Sequence, residues 1–516
     1  MALPSEKLAQ ALEILHSFQE RGVVAIKSDE ISRVNRERLA KAGFIKEITR
    51  GWYIPSNPGE KQGDTTSWYS SYWEFCARFL KEKYNNDWIV AAEQSLLLHA
   101  GSWSVPTQLL IKSPAATNYA TELPHHTSLF SMRVDLPAPE MIEIVKGLRL
   151  YSLQASIVFC SANTFVQNAI DARVALSMIR DSSEILRVLL AGGHSTYAGR
   201  VAGAFRNIGR ARIADEIIAT MKGAGYDVRE TDPFQNRLDV DFQRERSPYI
   251  NRLRLMWQQM REVVVRNFPP APGISPEHET YLKAVDDIYV TDAYHSLSIE
   301  RYRVSPELIE RVRGGQWDIH ANEQDRNQRD AMAALGYWQA FLKVKESVVK
   351  ILNGENAGTV ADLDHGRWYF ELFSPSVTAG LLRPEDLAGY RNSQVYIGGS
   401  KHVPVNVDAV RDTMPVLFEL LASEPEASVR IVLGHFIFVY IHPYMDGNGR
   451  MGRFLMNAML ASGGYPWTVI PVERRNDYMQ ALDSASSGQD IQPFARFIGS
   501  LVSATMDGRP LATLKN

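Results

Sequence analysis

The residues best able to do chemistry stand together as His442-Pro443-Tyr444-Met445-Asp446-Gly447-Asn448-Gly449-Arg450-Met451-Gly452-Arg453. An imidazole, a carboxylate, a glycine-flanked asparagine and two arginines follow one another with little filler. The preceding stretch, Ala427 to Ile441, reads as a buried helix, because Val429, Val432, Leu433, Phe436, Ile437, Val439 and Tyr440 cover most of its circumference. Helical spacing resumes through Met451, Phe454, Leu455, Ala458 and Met459, so the glycine-rich loop opens onto a new helix N-terminus. Backbone N–H groups point outward at such an end, and its partial positive charge favours phosphate. Arg450 and Arg453, three apart on the first turn, add planar forks suited to phosphate oxygens. Taken singly, His442 has the ordinary use of capping a helix, Asp446 of supporting a turn, and the arginines of facing water. Their conjunction points to a phosphate-bearing ligand with a base beside it.

From His442 to Arg453 the chain meets the motif His-Pro-Phe-x-(Asp/Glu)-Gly-Asn-Gly-Arg-x-x-Arg with one change, Tyr444 for Phe, and here it resembles the Fic family of nucleotidyl transferases. Tyr390-Arg391-Asn392-Ser393-Gln394-Val395-Tyr396-Ile397 and Gly463-Gly464-Tyr465-Pro466 extend the likeness, which runs from about 278 to 502. The resemblance implies transfer of AMP from ATP to a protein hydroxyl, with release of pyrophosphate. It implies His442 as general base, Asp446 as the ligand of Mg2+, and ATP as co-substrate. Asn448, counted with His442 as catalytic, and the backbone of Gly447 to Gly449 would cradle the phosphates, while Arg450 and Arg453 would hold the β- and γ-phosphates.

Ser296-Leu297-Ser298-Ile299-Glu300 is similar to the family's inhibitory pattern, Ser/Thr-x-x-x-Glu-Gly/Asn, except that Arg301 follows the glutamate. Ser296 and Glu300 are four apart and share a helix face. The likeness implies that Glu300 competes with the γ-phosphate for Arg453, so that the enzyme rests inhibited. Two alternatives stay open: Glu300 activates water to remove AMP from a modified protein, or the chain is a DNA-binding regulator whose Fic region senses nucleotide. Residues Ser393 to Val403 alternate around Gly398-Gly399 as a hairpin would. The resemblance makes this a flap that docks the target by strand addition, with Ile397, Gly398, Gly399, Ser400, Lys401 and His402 at its tip.

The elements that carry these residues belong to a long chain. Its 516 residues exceed what one core usually holds, and a net charge of −3 leaves no global attraction for nucleic acid or anionic lipid. Two cysteines, Cys76 and Cys160, are too few to staple it, which points to a reducing compartment and the cytoplasm. No stretch reads as a leader or a membrane span. The expected fold is multidomain and mainly α. It comprises a winged helix at 1–60, a small α/β unit at 61–160, a helical connector at 161–246 and a catalytic domain at 247–516. The last is expected to be all-α and Fic-type, with a β-hairpin flap and an inhibitory helix near 291–301. The N-terminal order helix, helix, hairpin carries a fainter likeness to the winged-helix start of abortive-infection antitoxin regulators. Residues 21–50 hold eight Lys/Arg against four Asp/Glu, so Arg33, Arg36, Arg38 and Arg50 are the candidate DNA contacts. Short apolar runs, Leu109-Leu110-Ile111 and Ile157-Val158-Phe159, suit the α/β unit, and the proline-rich stretch Asn267 to Gly273 reads as a flexible joint. Expected partners are ATP, a protein target that can be the chain itself, DNA, and a second copy in a homodimer.

Overall fold

The computed structural model describes residues 4–60, 64–192, 194–235, 247–315, 329–387 and 389–514. Two compact units emerge: Met1–Asn251 with Tyr396–Val403, and Arg252–Val395 with Pro404–Asn516.

The first unit begins with the helix Pro4–Glu20, the strand Ile26–Lys27, the helix Arg33–Lys41 and the strands Ile45–Thr49 and Trp52–Pro55. The last strand pairs antiparallel with both others. Ala11, Leu15, Phe18, Ile31, Leu39 and Ile45 form the core beneath, and Gly51 turns the hairpin at a φ of +79°. The two-residue strand Ile26–Lys27 is too short to show alternation, and the sequence gives no sign of it. On the basic face, Arg33 pairs with Glu37 at 2.8 Å, Arg36 donates to the Ser28 carbonyl, Arg38 donates to Asn35 Oδ1 at 2.9 Å, and Arg50 is exposed.

Next comes a four-stranded sheet in the order Ile89–Val90, Gln108–Ser113, Thr127–Arg133, Tyr119–Leu123, with its two central strands parallel. Leu109-Leu110-Ile111 is therefore a strand. Ile157-Val158-Phe159 lies instead in the helix Leu153–Phe159, begun by Ser152, whose hydroxyl accepts from the Ala155 N–H. A run of three apolar residues is compatible with either structure, and the cap decides it. The helices Ala169–Met178, Ser182–Gly192, Ser195–Asn207 and Ala211–Gly223 follow, at the helical spacing expected there, and residues 236–246 of the expected connector lie outside the described residues.

Within the second unit and among its described residues there is no strand. The proline-rich stretch is a packed strap of this unit: Gly273 N–H donates to the Gly463 carbonyl at 3.0 Å, and Tyr465 hydroxyl donates to the Pro269 carbonyl at 2.7 Å. A β-carbon on Gly464 would run into the Gly273 carbonyl, which accounts for the paired glycines. The helices that carry the chemistry are His278–Ile299, Ala427–Ile441 and Asn448–Ala461, backed by Arg329–Leu352 and Ala357–Thr378. These last two pack closely where Gly336 meets the backbone of Leu372.

That close approach generates a test. A β-carbon at Gly336 would overlap the Leu372 carbonyl oxygen. Gly336→Ala is expected to destabilise the chain by about 1–3 kcal/mol through overpacking, despite alanine's better helix propensity. Urea denaturation followed by circular dichroism measures this; an unchanged or raised midpoint contradicts it.

Candidate active site

The helix Ala427–Ile441 ends where His442 takes a left-handed conformation, φ +56°. The turn swings the chain out of the helix, and the imidazole Nδ1 lies 3.2 Å from the Val439 carbonyl. A carbonyl can only accept, so Nδ1 carries the hydrogen and the Nε2 lone pair is left to take a proton. Burial pushes the His442 pKa down to about 4, with Arg391 adding to the fall and the Val439 contact, Glu300 and Asp446 opposing it. The ring is therefore neutral at cellular pH.

Arg391 holds this corner. It is fully buried and donates from Nε to the His442 carbonyl at 2.8 Å, from Nη1 to the Ser393 carbonyl at 3.1 Å and from Nη2 to the Val405 carbonyl. Its own N–H donates to the Pro443 carbonyl at 2.8 Å. Gln394 takes the Pro404 carbonyl at 3.0 Å. Within the expected hairpin, Arg391 takes the Ser393 carbonyl and Gln394 that of Val395 at 3.3 Å, no strand forms from 393 to 403, and the flap is replaced by one turn, Ser400 N–H to the Ile397 carbonyl. In the first unit, to which Tyr396–Val403 belongs, the Lys401 carbonyl accepts from Val105 N–H at 3.1 Å and its ammonium donates to Thr107 at 3.0 Å. His402 is buried and Gly399 has φ +81°.

The loop itself is braced from inside. Asn448 is buried, and its side chain accepts from Tyr444 N–H at 2.9 Å and donates to the Tyr444 carbonyl at 2.8 Å. Both ends of its amide are engaged in closing the loop. Tyr444 stacks on Tyr369 with ring centroids 3.8 Å apart, so the departure from Phe retains the aromatic packing. Gly447 begins the next helix at φ +82°, and a β-carbon there would stand 2.7 Å from the Phe373 ring. Asp446 is exposed; its Oδ1 accepts from Gly447 N–H at 2.6 Å, and its Oδ2 lies 3.5 Å from Arg450.

Arg450 is 1% exposed, and its Nε and Nη2 have no hydrogen-bond partner. It lies 5.1 Å from the Tyr302 ring centre and 4.9 Å from that of Phe373. Aromatic faces offset part of the desolvation of a guanidinium but leave its N–H groups unsatisfied. Arg453 is equally buried. Its Nε donates to Ser296 Oγ at 2.7 Å and its Nη2 to Glu300 Oε1 at 2.8 Å, while Nη1 has no partner. Burial alone would raise the Glu300 pKa, yet Arg453, with Arg450 and Arg475, holds it below the ordinary carboxylate range. A β-carbon on Gly449 would collide with the Glu300 carboxylate, so the glycine leaves room for it.

Glu300 ends a helix that runs His278–Ile299, longer than the span near 291–301. Arg301 N–H donates to the Ser298 carbonyl and Tyr302 N–H to the Leu297 carbonyl, with Arg301 at φ +67°. This is a Schellman ending with arginine where glycine or asparagine is expected. Arg475 donates to the Ile299 carbonyl at 2.8 Å and braces the same end. Sequence reasoning misses Tyr302, Phe373, Tyr369 and Arg475. Tyr302 alone carried a signal, as the aromatic residue next to the unexpected Arg301.

The sequence pattern of the Fic/DOC family matches residues 368–460. Over 132 residues, 25% of this chain, the sequence is 39% identical to the protein adenylyltransferase Fic of Drosophila yakuba and to that of Nematostella vectensis, covering 26% and 30% of those proteins. The chain thus spans under a third of the length of these curated relatives. A solved structure of Fic-1 from C. elegans aligns with 69% of this chain and 90% of its own, at 16% identity and a TM-score of 0.37. No helix among the described residues is long and apolar enough to cross a membrane.

The depressed pKa of His442 is directly measurable. An NMR titration of its ring is expected to show a midpoint near 4, against an ordinary value of 6.5. Because the unfolded chain takes up this proton first, stability should fall as pH drops from 6.5 towards 4. A midpoint at or above 6.5 contradicts the burial argument.

Proposed function

We propose that the Fic/DOC domain of this chain transfers AMP from ATP to a Ser, Thr or Tyr hydroxyl of a protein, and that Glu300 holds it inactive by occupying Arg453. The supporting observation is the site of three groups around one helix start: a neutral His442, an unsatisfied buried Arg450, and an Arg453 whose present counter-charge is Glu300.

In this reading His442 Nε2 takes the proton from the attacking hydroxyl. The hydroxyl oxygen bonds to the α-phosphorus, the bond to the β-phosphate oxygen breaks, and pyrophosphate leaves with that electron pair. Arg450 and Arg453 receive the outer phosphates, replacing missing hydrogen bonds with charge-assisted ones. Asn448 acts by keeping the loop closed, so that the N–H groups from Gly447 to Gly449 face the nucleotide. The exposed Asp446 carboxylate suits Mg2+, which is commonly held by one or two carboxylates together with substrate phosphates. When bound, the ion would offset phosphate charge. DNA as a further partner rests on the local basic surplus, and three of its four arginines are engaged within the first unit.

The test is the full chain incubated with α-labelled ATP and Mg2+, alone and with cell lysate. Glu300→Gly should raise protein labelling about tenfold or more, since it frees a buried arginine for phosphate. Adding His442→Ala should then lower it by about a hundredfold, the usual worth of a general base. Labelling insensitive to His442, or a Glu300→Gly chain no more active than wild type, contradicts the proposal.

A further inference from the structure

The helix that ends in Glu300 carries two more polar groups on the same face. Asp292, Ser296 and Glu300 recur every four residues, and Asp292 is buried at 3% exposure, two turns before the carboxylate that meets Arg453. Its Oδ2 accepts from the Tyr337 hydroxyl at 2.7 Å. Tyr337 is fully buried on Arg329–Leu352, its ring 4.8 Å from that of Phe454, the neighbour of Arg453 on the motif helix. The tyrosine therefore touches both the inhibitory helix and the helix that it inhibits. Nothing in the transfer chemistry uses Asp292 or Tyr337.

We infer that Asp292 and Tyr337 are positioning residues that fix the height of the inhibitory helix, and so keep Ser296 and Glu300 in register with Arg453. The inference rests on the autoinhibited reading above. The last-turn carbonyls of Leu297, Ser298 and Ile299 are taken by the N–H groups of Tyr302 and Arg301 and by Arg475, which close the end of the helix but do not tie its earlier turns to the helix Arg329–Leu352. A buried carboxylate bonded to a buried hydroxyl two turns back supplies that tie and opposes sliding of the helix past its neighbours. Burial raises the Asp292 pKa to about 6, opposed first by the Tyr337 hydroxyl and also by the charge of Arg453, so the carboxylate depends on these partners. The pair acts at a distance from the phosphates and would change how often Glu300 is in place, leaving the transfer machinery intact.

Tyr337→Phe removes one hydroxyl and keeps the ring. In the full chain, hydrogen exchange at the amides of residues 297–302 should quicken about tenfold, in line with loss of a hydrogen bond to a charged group. AMP transfer should rise about tenfold where Glu300 is present and stay unchanged in a Glu300→Gly background. Unchanged exchange, or an equal change of transfer in both backgrounds, overturns the inference. Should Tyr337→Phe fail to fold, Asp292→Asn is read in the same way. If Glu300→Gly itself transfers nothing, the functional reading fails, while the exchange rates still decide whether the pair anchors the helix.

Discussion

A guanidinium as deeply buried as that of Arg453 must have an anionic partner, and the rest of the site is arranged around which partner it has. Charge taken out of water is tolerated only when paired and hydrogen-bonded. Here the pairing is with Glu300 at 2.8 Å, supported by Ser296. A phosphate in the same place would meet the same demand. Arg450 is buried as deeply, but its nearest carboxylate is that of Asp446 at 3.5 Å, so the direct contact of Glu300 falls on Arg453, and the proposed inhibition rests on that pairing.

The loop beside this pair is held by internal hydrogen bonds and ring packing. Arg391 collects the carbonyls of the chain leaving His442, Asn448 joins the two ends of the loop, and the stacked Tyr369 and Tyr444 fill the space behind it. Each removes a freedom that a binding loop would otherwise lose on meeting its ligand, which is the physical content of preorganisation. Arg450 is the exception. Held between Tyr302 and Phe373, with no hydrogen bond to Nε or Nη2 and the exposed Asp446 carboxylate 3.5 Å away, it retains N–H groups that a phosphate could satisfy.

The motif loop was legible because its residues are contiguous and their types are chemically pointed: helix, break and helix appear at Ile441, His442 and Asn448 as the spacing predicts. A serine and a glutamate four apart are common on helices, so Ser296 and Glu300 stood out only through their likeness to the family's inhibitory pattern, and the structure brings both to Arg453. Arg301 showed the limit of a propensity rule. Arginine occupies the left-handed position that the pattern gives to glycine or asparagine, and Arg475 and the Schellman bonds hold the end together. Phe373 and Tyr337 are not visible in the sequence because their contacts, with Arg450 and with Asp292, join elements distant along the chain, while Tyr302 shows only as the aromatic residue beside Arg301. The flap differs from its expectation for a related reason: alternation around Gly398-Gly399 suggests paired strands, but the carbonyls of Ser393 and Val395 are taken by the side chains of Arg391 and Gln394.

The most direct measurement is calorimetric titration of ATP and of ADP into the wild-type chain and into Glu300→Gly. The account predicts that removing Glu300 tightens ATP about tenfold, as a charge-assisted contact to the third phosphate becomes available, and leaves ADP nearly unchanged. Equal tightening of both nucleotides, or none, would mean that Arg453 does not choose between Glu300 and a γ-phosphate.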